Sequence, residues 1–441
     1  MSSRPEQTPF EFPVSAMAGR LEAPVIADLM HQALANPDLL SLAAGFTDND
    51  VLPVDLVRDT VDRLTGGDGE AAVLQYGTNR GRQDLREATL AFLRTYPGET
   101  LPGLDLDSAM VTNGSQQALY AAMQVLCDPG DLVLVEQPSY FVFLEMLKGL
   151  GIRPVGMPCL PEGGLDLELL DPFFAELARS RAIDRVRAVY LMGYHGNPTG
   201  RSVTAAEKEA LAASLRAHGR GWPIIEDAAY RDLYFDEPHP VPSVLSLPAY
   251  AGFPCLYLGT YTKPFATGLK VGYALSSHVG LLDKMACVKG HQDFGTAHFN
   301  QAIVANILIR GLYPEFLAGL HRKYGAKARL LQSVLEGEGV AEAGWRWHPP
   351  AGGLLIWMRG PDGLDARMSG AFCRASIDAG VLYVPGDLCL AGGEPVHCLR
   401  LSFGTLRESR LEEAGYRFGR IARQYAGEPA TTAFPAGAIV H

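Results

Sequence analysis

Lys263 lies in a segment whose side chains could support covalent chemistry with an aldehyde cofactor. The hydroxyls of Thr260 and Thr262 precede it, and a Gly-Leu-Lys-Val-Gly turn containing Lys270 follows it. A lysine amine attacks an aldehyde only in its neutral form, which burial and a neighbouring positive charge favour. The hydroxyls and Lys270 could neutralise a phosphate beside it. A surface lysine in a glycine-rich turn is the alternative, and this segment alone does not decide between them.

A second segment, Thr112-Asn-Gly-Ser-Gln-Gln-Ala-Leu119, is predicted to follow a strand and begin a helix. The free amides of Ser115 and Gln116, together with the helix dipole, would bind a dianionic phosphate. A plain helix N-cap is the alternative. The sequence contains neither Gly-x-x-x-x-Gly-Lys-[Ser/Thr] nor Gly-x-Gly-x-x-Gly, so a ligand smaller than a nucleotide is favoured.

Three further polar side chains follow predicted strands. Asp227 and Tyr230 come at the end of the run Ile224–Glu226, which places a carboxylate and a phenol at the ligand edge of a sheet. An aspartate there can keep a pyridine nitrogen protonated. The turn Asn-Pro-Thr-Gly projects the Asn197 amide forwards. An acid that caps the next helix and an ordinary tight turn are the alternatives.

Tyr140 and Arg400 could contact a ring and a carboxylate. Tyr140 offers a flat face for stacking, or is a core tyrosine. Arg400 interrupts the apolar pattern of Leu399–Phe403, and a half-buried arginine needs a counter-ion. A substrate carboxylate bound by both guanidinium nitrogens would supply it, and an internal aspartate or glutamate is the alternative.

These residues follow short apolar runs that alternate with helical stretches, which predicts an open α/β sheet covered by helices. In such sheets ligands bind at the carboxyl ends of the strands. The predicted strands are Met110–Thr112, Leu132–Val135, Val186–Met192, Ile224–Glu226, Cys255–Leu258 and Val271–Leu275. One long helical stretch at about Phe299–Glu336 and the runs Gly352–Met358 and Cys398–Phe403 then predict a smaller α+β domain.

Length and composition favour a two-domain globular protein. The 441 residues are 47% hydrophobic and 20% charged, which is enough to bury a large core. We expect an N-terminal arm at 1–22, a large domain at 47–310, a small domain formed by 23–46 with 311–426, and a flexible tail at 427–441.

The charge and cysteine patterns argue against several classes of partner. A net charge of −11 without long basic runs disfavours nucleic acid. The seven scattered cysteines contain no Cys-x-x-Cys pair, so we predict no metal site and a reducing, cytoplasmic location. The polar N-terminus and the lack of ~18 uninterrupted apolar residues predict neither export nor membrane insertion.

Taken together and in order, the motifs resemble one family. Gly-Ser-Gln, Glu-x-Pro-Ser-Tyr, Asn-Pro-Thr-Gly, Asp-x-x-Tyr, Thr-x-Thr-Lys and Arg-Leu-Ser-Phe are similar to those of fold-type I aminotransferases that use pyridoxal 5′-phosphate (PLP). The likeness is to the class I/II branch that includes 2-aminoadipate, kynurenine and aromatic aminotransferases, and it runs from about Leu42 to Ile421. It implies a large PLP-binding domain with a mainly parallel sheet and a smaller α+β domain.

The resemblance also implies roles for individual residues. Lys263 would form the imine with PLP and shuttle the substrate proton, Asp227 would pair with the pyridinium nitrogen, and Arg400 would bind the substrate carboxylate. The remaining contacts would go to the ring oxygen (Tyr230 and Asn197), the ring face (Tyr140), the phosphate (Ser115, Gln116, Thr260, Thr262 and Lys270) and the substrate side (Gly45 and Asn197).

Tyr76, in Leu-Gln-Tyr-Gly, resembles the family tyrosine that reaches the neighbouring subunit's phosphate, which implies a homodimer with shared active sites. Lys270 replaces the arginine that is common in the family, which retains the charge and loses two-pronged hydrogen bonding. His195-Gly196 also departs from the usual residues.

The expected reaction is ping-pong transfer of an amino group between an L-amino acid and a 2-oxo acid. The amino acid is expected to be aromatic, apolar or similar to 2-aminoadipate. Aspartate is disfavoured, since no arginine or lysine lies between Lys289 and Arg310, where some dicarboxylate-specific relatives in the family supply a second arginine. Another PLP-dependent reaction, such as β-elimination, decarboxylation or oxidation, is the alternative. A non-catalytic PLP-binding regulator is a further one, disfavoured because only residues 1–22 precede the similar region.

Overall fold

The computed structural model describes residues 13–21, 38–66, 71–160, 162–392 and 397–428. A seven-stranded sheet lies at its centre, and six of its strands run parallel to one another. In spatial order the strands are β2 (Ala109–Asn113), β8 (Val271–Ser276), β7 (Cys255–Thr260), β6 (Ile224–Asp227), β5 (Val186–Met192), β3 (Leu132–Val135) and β4 (Arg153–Gly156). Only β8 is antiparallel to its neighbours.

The strands at the middle of this sheet are buried along almost their whole length because helices cover both faces. Every residue of β3, β6, β7 and β8 is buried. The helices between residues 54 and 292 are α1 (Val54–Thr65), α2 (Gln83–Leu93), α3 (Gly114–Leu126), α4 (Phe141–Leu150), α5 (Leu167–Arg179), α6 (Ala205–Ala217) and α7 (Val279–Gln292).

The long helical stretch that the sequence predicted is two helices, α8 (His298–Ile309) and α9 (Leu312–Gly337). Gly311 lies between them with φ of 70°, a left-handed conformation that glycine adopts without strain and that ends a helix. The two axes meet at 88°. Among the described residues no single helix is long and apolar enough to span a membrane. The bent pair of α8 and α9 taken together is long and apolar enough, judged by length and composition only.

The C-terminal part forms a smaller α+β unit. An antiparallel sheet has the order β12 (Val384–Pro385), β13 (Cys398–Ser402), β10 (Leu355–Arg359) and β9 (Arg346–Trp347). The N-terminal strand β1 (Leu40–Ser41) pairs in parallel with β11 (Val381–Leu382). Two helices complete the unit, α10 (Ala371–Asp378) and α11 (Glu408–Gln424).

This architecture is the predicted α/β class, with a mainly parallel sheet and a smaller α+β part. The central sheet falls within 47–310 and the antiparallel sheet within 311–426, and β1 joins the latter part of the chain as the division into 23–46 and 311–426 requires. The domain limits themselves stay a prediction. Within the expected arm, Ala18–Arg20 forms a 3-10 turn. Residues 1–12 and 22 of the arm, 23–37 of the small domain and 429–441 of the tail lie outside the described residues.

Candidate active site

One edge of the central sheet gathers the residues that the sequence singled out. Strands β2, β3, β5, β6 and β7 run in one direction, so their carboxyl ends meet at this edge, where the antiparallel β8 begins. A cavity of about 330 Å³ lies there. It is lined by every predicted site residue except Tyr76: Gly45, Ser115, Gln116, Tyr140, Asn197, Asp227, Tyr230, Thr260, Thr262, Lys263, Lys270 and Arg400.

Lys263 presents its amine to this cavity from the loop after β7. Its Nζ donates a hydrogen bond of 2.7 Å to the carbonyl oxygen of Gly45. Burial, followed by the positive charges of Arg400 and Lys270, lowers the pKa of Lys263 to about 8. A substantial fraction of the amine is therefore neutral near physiological pH, which is the form that attacks a carbonyl.

Asp227 ends strand β6 and is 2% exposed. The Tyr190 hydroxyl donates to its Oδ2 at 3.0 Å, and the backbone N–H of Ala229 donates to its Oδ1 at 3.0 Å. Burial raises the pKa of Asp227 to about 6, while these two hydrogen bonds lower it. The bond from Ala229 shows that the carboxylate also caps the following turn, and its pairing with a ring nitrogen stays a prediction.

The first turn of α3 and the loops flanking Lys263 form a cradle for an anion. A Cβ on Gly272 would lie 2.5 Å from the carbonyl carbon of Gly114, so only glycine allows β8 to approach the helix start this closely. The hydroxyl of Thr262 is buried and has no hydrogen-bond partner among the described residues. Helix amides, a free hydroxyl and the nearby amine of Lys270 are the donors that a phosphate group requires.

The two threonines of the cradle differ in what they can donate. Thr260 donates its hydroxyl to the carbonyl oxygen of Val271 at 3.1 Å and accepts from the backbone N–H of Thr262 at 3.0 Å. Its single proton is therefore already used. The hydroxyl of Thr262 is the one left to donate to a phosphate oxygen.

Arg400 lies in β13 and is 1% exposed, so it is fully rather than half buried. Its Nη1 donates to Oδ1 of Asn197 at 2.9 Å, and its Nη2 donates to the carbonyl oxygen of Ala43. None of the ion pairs within the described ranges includes Arg400, and its Nε has no hydrogen-bond partner there. The alternative of an internal acidic partner is thus not what the structure shows, and a guanidinium without a carboxylate suits an anionic substrate group.

Tyr230 and Tyr140 bring phenol groups to the cavity. Burial raises the pKa of Tyr230 to about 12, although a hydrogen bond with Asn197 opposes this, so the group is a neutral hydroxyl. Tyr140 donates a long hydrogen bond of 3.4 Å to Oε1 of Gln116. Asn197 therefore contacts both Tyr230 and Arg400, at the junction of the expected ring and carboxylate positions.

Sequence reasoning missed several residues of the site. Tyr190 contacts Asp227 directly, but it lies inside the apolar run of β5 and resembles a core residue. The carbonyl oxygens of Ala43 and Gly45 accept hydrogen bonds from Arg400 and Lys263, and a backbone acceptor leaves no signal in residue type. Apolar side chains complete the lining: Phe46, Phe141, Val142 and Met192.

Two other residues lie away from the cavity. Tyr76 is 77% exposed and packs edge-on against Phe294 with ring centroids 5.8 Å apart, so its role stays a prediction. His195 is buried behind the Asn-Pro-Thr-Gly turn, where burial lowers its pKa to about 3. A Cβ on Gly352 would lie 2.6 Å from its ring, so this departure from the family pattern concerns packing behind the cavity.

Residues 37–418 match the family described as aminotransferase class I and II, and the chain belongs to that family. It is 33% identical over 407 residues to the 2-aminoadipate transaminase of Thermus thermophilus, covering 92% of this chain and 95% of the relative. It is 27% identical over 404 residues to aromatic-amino-acid aminotransferase 1 of Thermococcus litoralis, covering 92% of each.

Among solved structures, it is similar to the α-aminoadipate aminotransferase LysN of Thermus thermophilus in complex with N-(5′-phosphopyridoxyl)-L-leucine. The identity is 30%, the coverage is 93% of this chain and 97% of that one, and the TM-score is 0.78. The protein is therefore an aminotransferase of fold type I, as the sequence predicted, from a family that depends on PLP.

Proposed function

We propose that this aminotransferase binds PLP covalently through Lys263 and moves an amino group between an L-amino acid with an apolar, aromatic or 2-aminoadipate-like side chain and a 2-oxo acid. The observation that carries the proposal is the position of an amine with a lowered pKa in a cavity that also holds an anion cradle, a buried carboxylate and an arginine without a counter-ion. When bound, PLP supplies the electron sink that weakens the bonds to the amino acid Cα.

The charges lining the cavity support this ligand pair. Lys263, Lys270 and Arg400 contribute positive charge, whereas Asp227 is the only acid among the lining residues. A phosphate group and an α-carboxylate are the anions that would balance this excess. The cradle at the start of α3 suits the phosphate, and Arg400 suits the carboxylate, because a planar guanidinium binds a carboxylate with two parallel hydrogen bonds.

The chain's own residues would then divide the work. Nζ of Lys263 holds and returns the proton taken from the substrate Cα. Asp227 would accept a hydrogen bond from a protonated ring nitrogen, and Tyr230 would donate one to the ring oxygen. Asn197, through its contact with Arg400, would fix the position of the bound carboxylate relative to the ring.

The substrate preference rests on the apolar part of the lining. Once Lys263, Lys270 and Arg400 are assigned, no further cation lines the described cavity to bind a distal carboxylate. Phe46, Phe141 and Val142 offer an apolar surface instead, which supports aromatic or aliphatic side chains over aspartate. The name of the Thermococcus litoralis relative agrees with an aromatic substrate. 2-Aminoadipate, named for the Thermus thermophilus relative, carries a distal carboxylate, and its inclusion rests on that likeness rather than on the charges of the cavity.

Exposed apolar side chains support the proposed homodimer, in which each subunit would lend Tyr76 to its neighbour's phosphate. Leu74, Tyr76 and Phe294 are 69%, 77% and 63% exposed. Large apolar groups clustered on a surface are typical of interfaces. Because Tyr76 does not line the cavity of its own chain, a role in the site requires that it act on another copy.

A half-reaction tests the proposed function. The purified protein, loaded with PLP, is given one L-amino acid and no 2-oxo acid. Transamination predicts one 2-oxo acid released per active site, loss of the visible absorbance of bound PLP, and recovery of that absorbance when a 2-oxo acid is added. Continuous release of ammonia or carbon dioxide without an acceptor would instead indicate elimination or decarboxylation and would contradict the proposal.

A further inference from the structure

We propose that Tyr190 is a positioning residue that fixes the Asp227 carboxylate in the orientation and ionisation state that the cofactor ring requires. This inference rests on the proposed function, because it concerns the same PLP site. Tyr190 does not line the cavity, and it would act only through Asp227.

The sheet register explains why this tyrosine reaches the carboxylate. In the parallel pair β5 and β6, Met192 lies opposite Asp227 and Tyr190 lies opposite Ile225. Residues 190 and 192 project to the same face of the sheet because side chains alternate along a strand. The Tyr190 hydroxyl can therefore reach diagonally across to Asp227 Oδ2, at 3.0 Å.

Packing fixes the donor itself. The Tyr190 side chain is fully buried, and its ring lies against that of Phe143 in α4 with centroids 4.3 Å apart. A hydroxyl on a ring held in this way has little freedom to leave its acceptor. The Tyr190 side chain therefore loses no further conformational entropy when a ligand binds, which is the condition for a preorganised site.

Each oxygen of the Asp227 carboxylate accepts a hydrogen bond from a different donor. Ala229 N–H holds Oδ1 and Tyr190 holds Oδ2, so the rotation of the carboxylate is set from the protein side. Both bonds favour the ionised form, against burial, which raises the pKa of Asp227 to about 6. Without Tyr190, more of Asp227 would be protonated near neutral pH and unable to accept from a ring N–H.

The other ionisable groups around Asp227 do not replace this donor. The charge of Asp227 raises the pKa of Glu136, Tyr140 and Tyr230, but burial is the larger cause in each case. Burial raises the pKa of Glu136 to about 8, so near neutral pH that acid is largely protonated and adds little charge of its own. Tyr190 is thus the side chain that donates directly to the carboxylate.

The chain contains a matched control. Asp232, like Asp227, accepts hydrogen bonds from tyrosine hydroxyls. Its two donors are Tyr96 and Tyr313, both at 2.7 Å. Asp232 does not line the cavity. Tyr313→Phe therefore removes a buried tyrosine–aspartate bond of the same kind at a position that should affect folding stability alone.

The experiment compares Tyr190→Phe with Tyr313→Phe in the full-length PLP-loaded protein. Bound PLP is measured during serial dilution, which gives its dissociation constant, and thermal denaturation gives stability. We expect Tyr190→Phe to bind PLP at least 10-fold more weakly, since a hydrogen bond to a charged group is among the stronger ones in proteins. The pH below which PLP binding weakens should also rise. Tyr313→Phe should lower thermal stability and leave PLP affinity and its pH dependence unchanged.

A second experiment, in an Asp227→Asn variant, distinguishes a role of Tyr190 through Asp227 from a role in packing alone. In Asp227→Asn, which cannot ionise, adding Tyr190→Phe should change PLP affinity by less than about 2-fold. Equal PLP affinity and pH dependence in the wild type and Tyr190→Phe would overturn the proposal, as would a full effect of Tyr190→Phe in the Asn background. A wild-type protein that binds no PLP would overturn the proposed function as well, and this result is distinct from the other two.

Discussion

Arg400 donates from Nη1 to the side-chain oxygen of Asn197 at 2.9 Å, and this bond links the four-stranded antiparallel sheet to a turn of the seven-stranded central sheet. Asn197 lies in the turn after β5 of the central sheet, whereas Arg400 lies in β13 of the smaller antiparallel sheet. Lys263 crosses the same boundary through its bond to Gly45. The cavity is therefore built from both parts of the chain, and its cations also hold these parts together.

Replacing Arg400 should damage substrate recognition more than cofactor binding. Arg400→Lys keeps the charge and loses the paired N–H groups, so we expect KM for the amino acid to rise about 100-fold. Steady-state kinetics measure this, and the absorbance of bound PLP serves as the control because Arg400 is assigned to the substrate. An unchanged KM would contradict the assignment.

The charge of Lys270 should set the pH at which Lys263 reacts. Burial is the main cause of the lowered pKa of Lys263, and Arg400 and then Lys270 lower it further. Lys270→Gln removes one positive charge, so protonation of Lys263 becomes easier and its pKa rises. The pH profile of the rate of PLP capture should then move upwards by up to about one unit.

The exposed Lys284, in α7, provides the control for this change of charge. Lys284→Gln removes the same charge far from the cavity and should leave the pH profile in place. A profile that moves downwards in Lys270→Gln, or that moves equally in both variants, would show that Lys270 does not act on Lys263.

Asp227 should make the PLP-stripped protein less stable as the pH rises. Its pKa is raised from 3.8 in the unfolded chain to about 6 in the folded protein, so its contribution is fully present below about 3.8 and is lost as the pH rises through about 6. Asp227→Asn removes this titration. The stability of the Asn variant relative to wild type should therefore increase between pH 4 and 7 by on the order of 3 kcal/mol.

Urea unfolding at several pH values measures this difference directly. The Asn variant should nevertheless bind PLP weakly and turn over slowly, because it cannot hold a protonated ring nitrogen. A stability difference that does not depend on pH would mean that Asp227 is not a buried ionisable carboxylate.

The stability of the segment from Asp227 to Tyr230 should depend on the buried ion pair made by the next residue, Arg231. Arg231 lies 2.6 Å from Glu99, with both side chains almost fully buried, and its guanidinium is 4.4 Å from the ring centroids of Tyr96 and Tyr194. Glu99→Ala leaves a buried charge without its partner, which costs about 3–5 kcal/mol. Urea unfolding should show this loss.

Asp55→Ala provides the matched control. It removes an ion pair with Arg58 in which both side chains are well exposed, and it should cost less than about 1 kcal/mol. Similar losses in Glu99→Ala and Asp55→Ala would contradict the importance given to the buried pair.

Mixing two inactive variants tests the shared site. If Tyr76 acts on the neighbouring subunit, a dimer of one Lys263→Ala chain and one Tyr76→Ala chain has one intact site and one doubly altered site. Random exchange at equal concentrations should then restore about 25% of wild-type activity, given a symmetric dimer. Recovery should be absent if Tyr76 and Lys263 must be on the same chain.

The sequence predicted those elements whose apolar runs are continuous. Strands β3 and β5 have the predicted bounds, because each is a mainly apolar run, interrupted in β5 only by the exposed Arg187, that ends at turn residues. Strand β4 was missed, since Arg153–Gly156 contains a charge, a proline and a glycine. It lies at the edge of the sheet, where an unpaired proline nitrogen costs no ladder bond.

The site was predictable where chemistry needs a particular side chain directly after a strand, as for Lys263 and Asp227. It was not predictable where long-range packing decides. Arg400 meets Asn197 and Ala43 only because the antiparallel sheet folds back on the central sheet, and Tyr190 reaches Asp227 only through the register of two strands. Neither relation leaves a pattern in the sequence near these residues.

The most direct test of the account is chemical trapping of the link to PLP. The purified protein, loaded with PLP, is reduced with borohydride, digested, and mapped by mass spectrometry. We predict one pyridoxyl-phosphate adduct per chain, on Lys263, and none in Lys263→Ala. An adduct on a different lysine, or no adduct at all, would contradict the central claim.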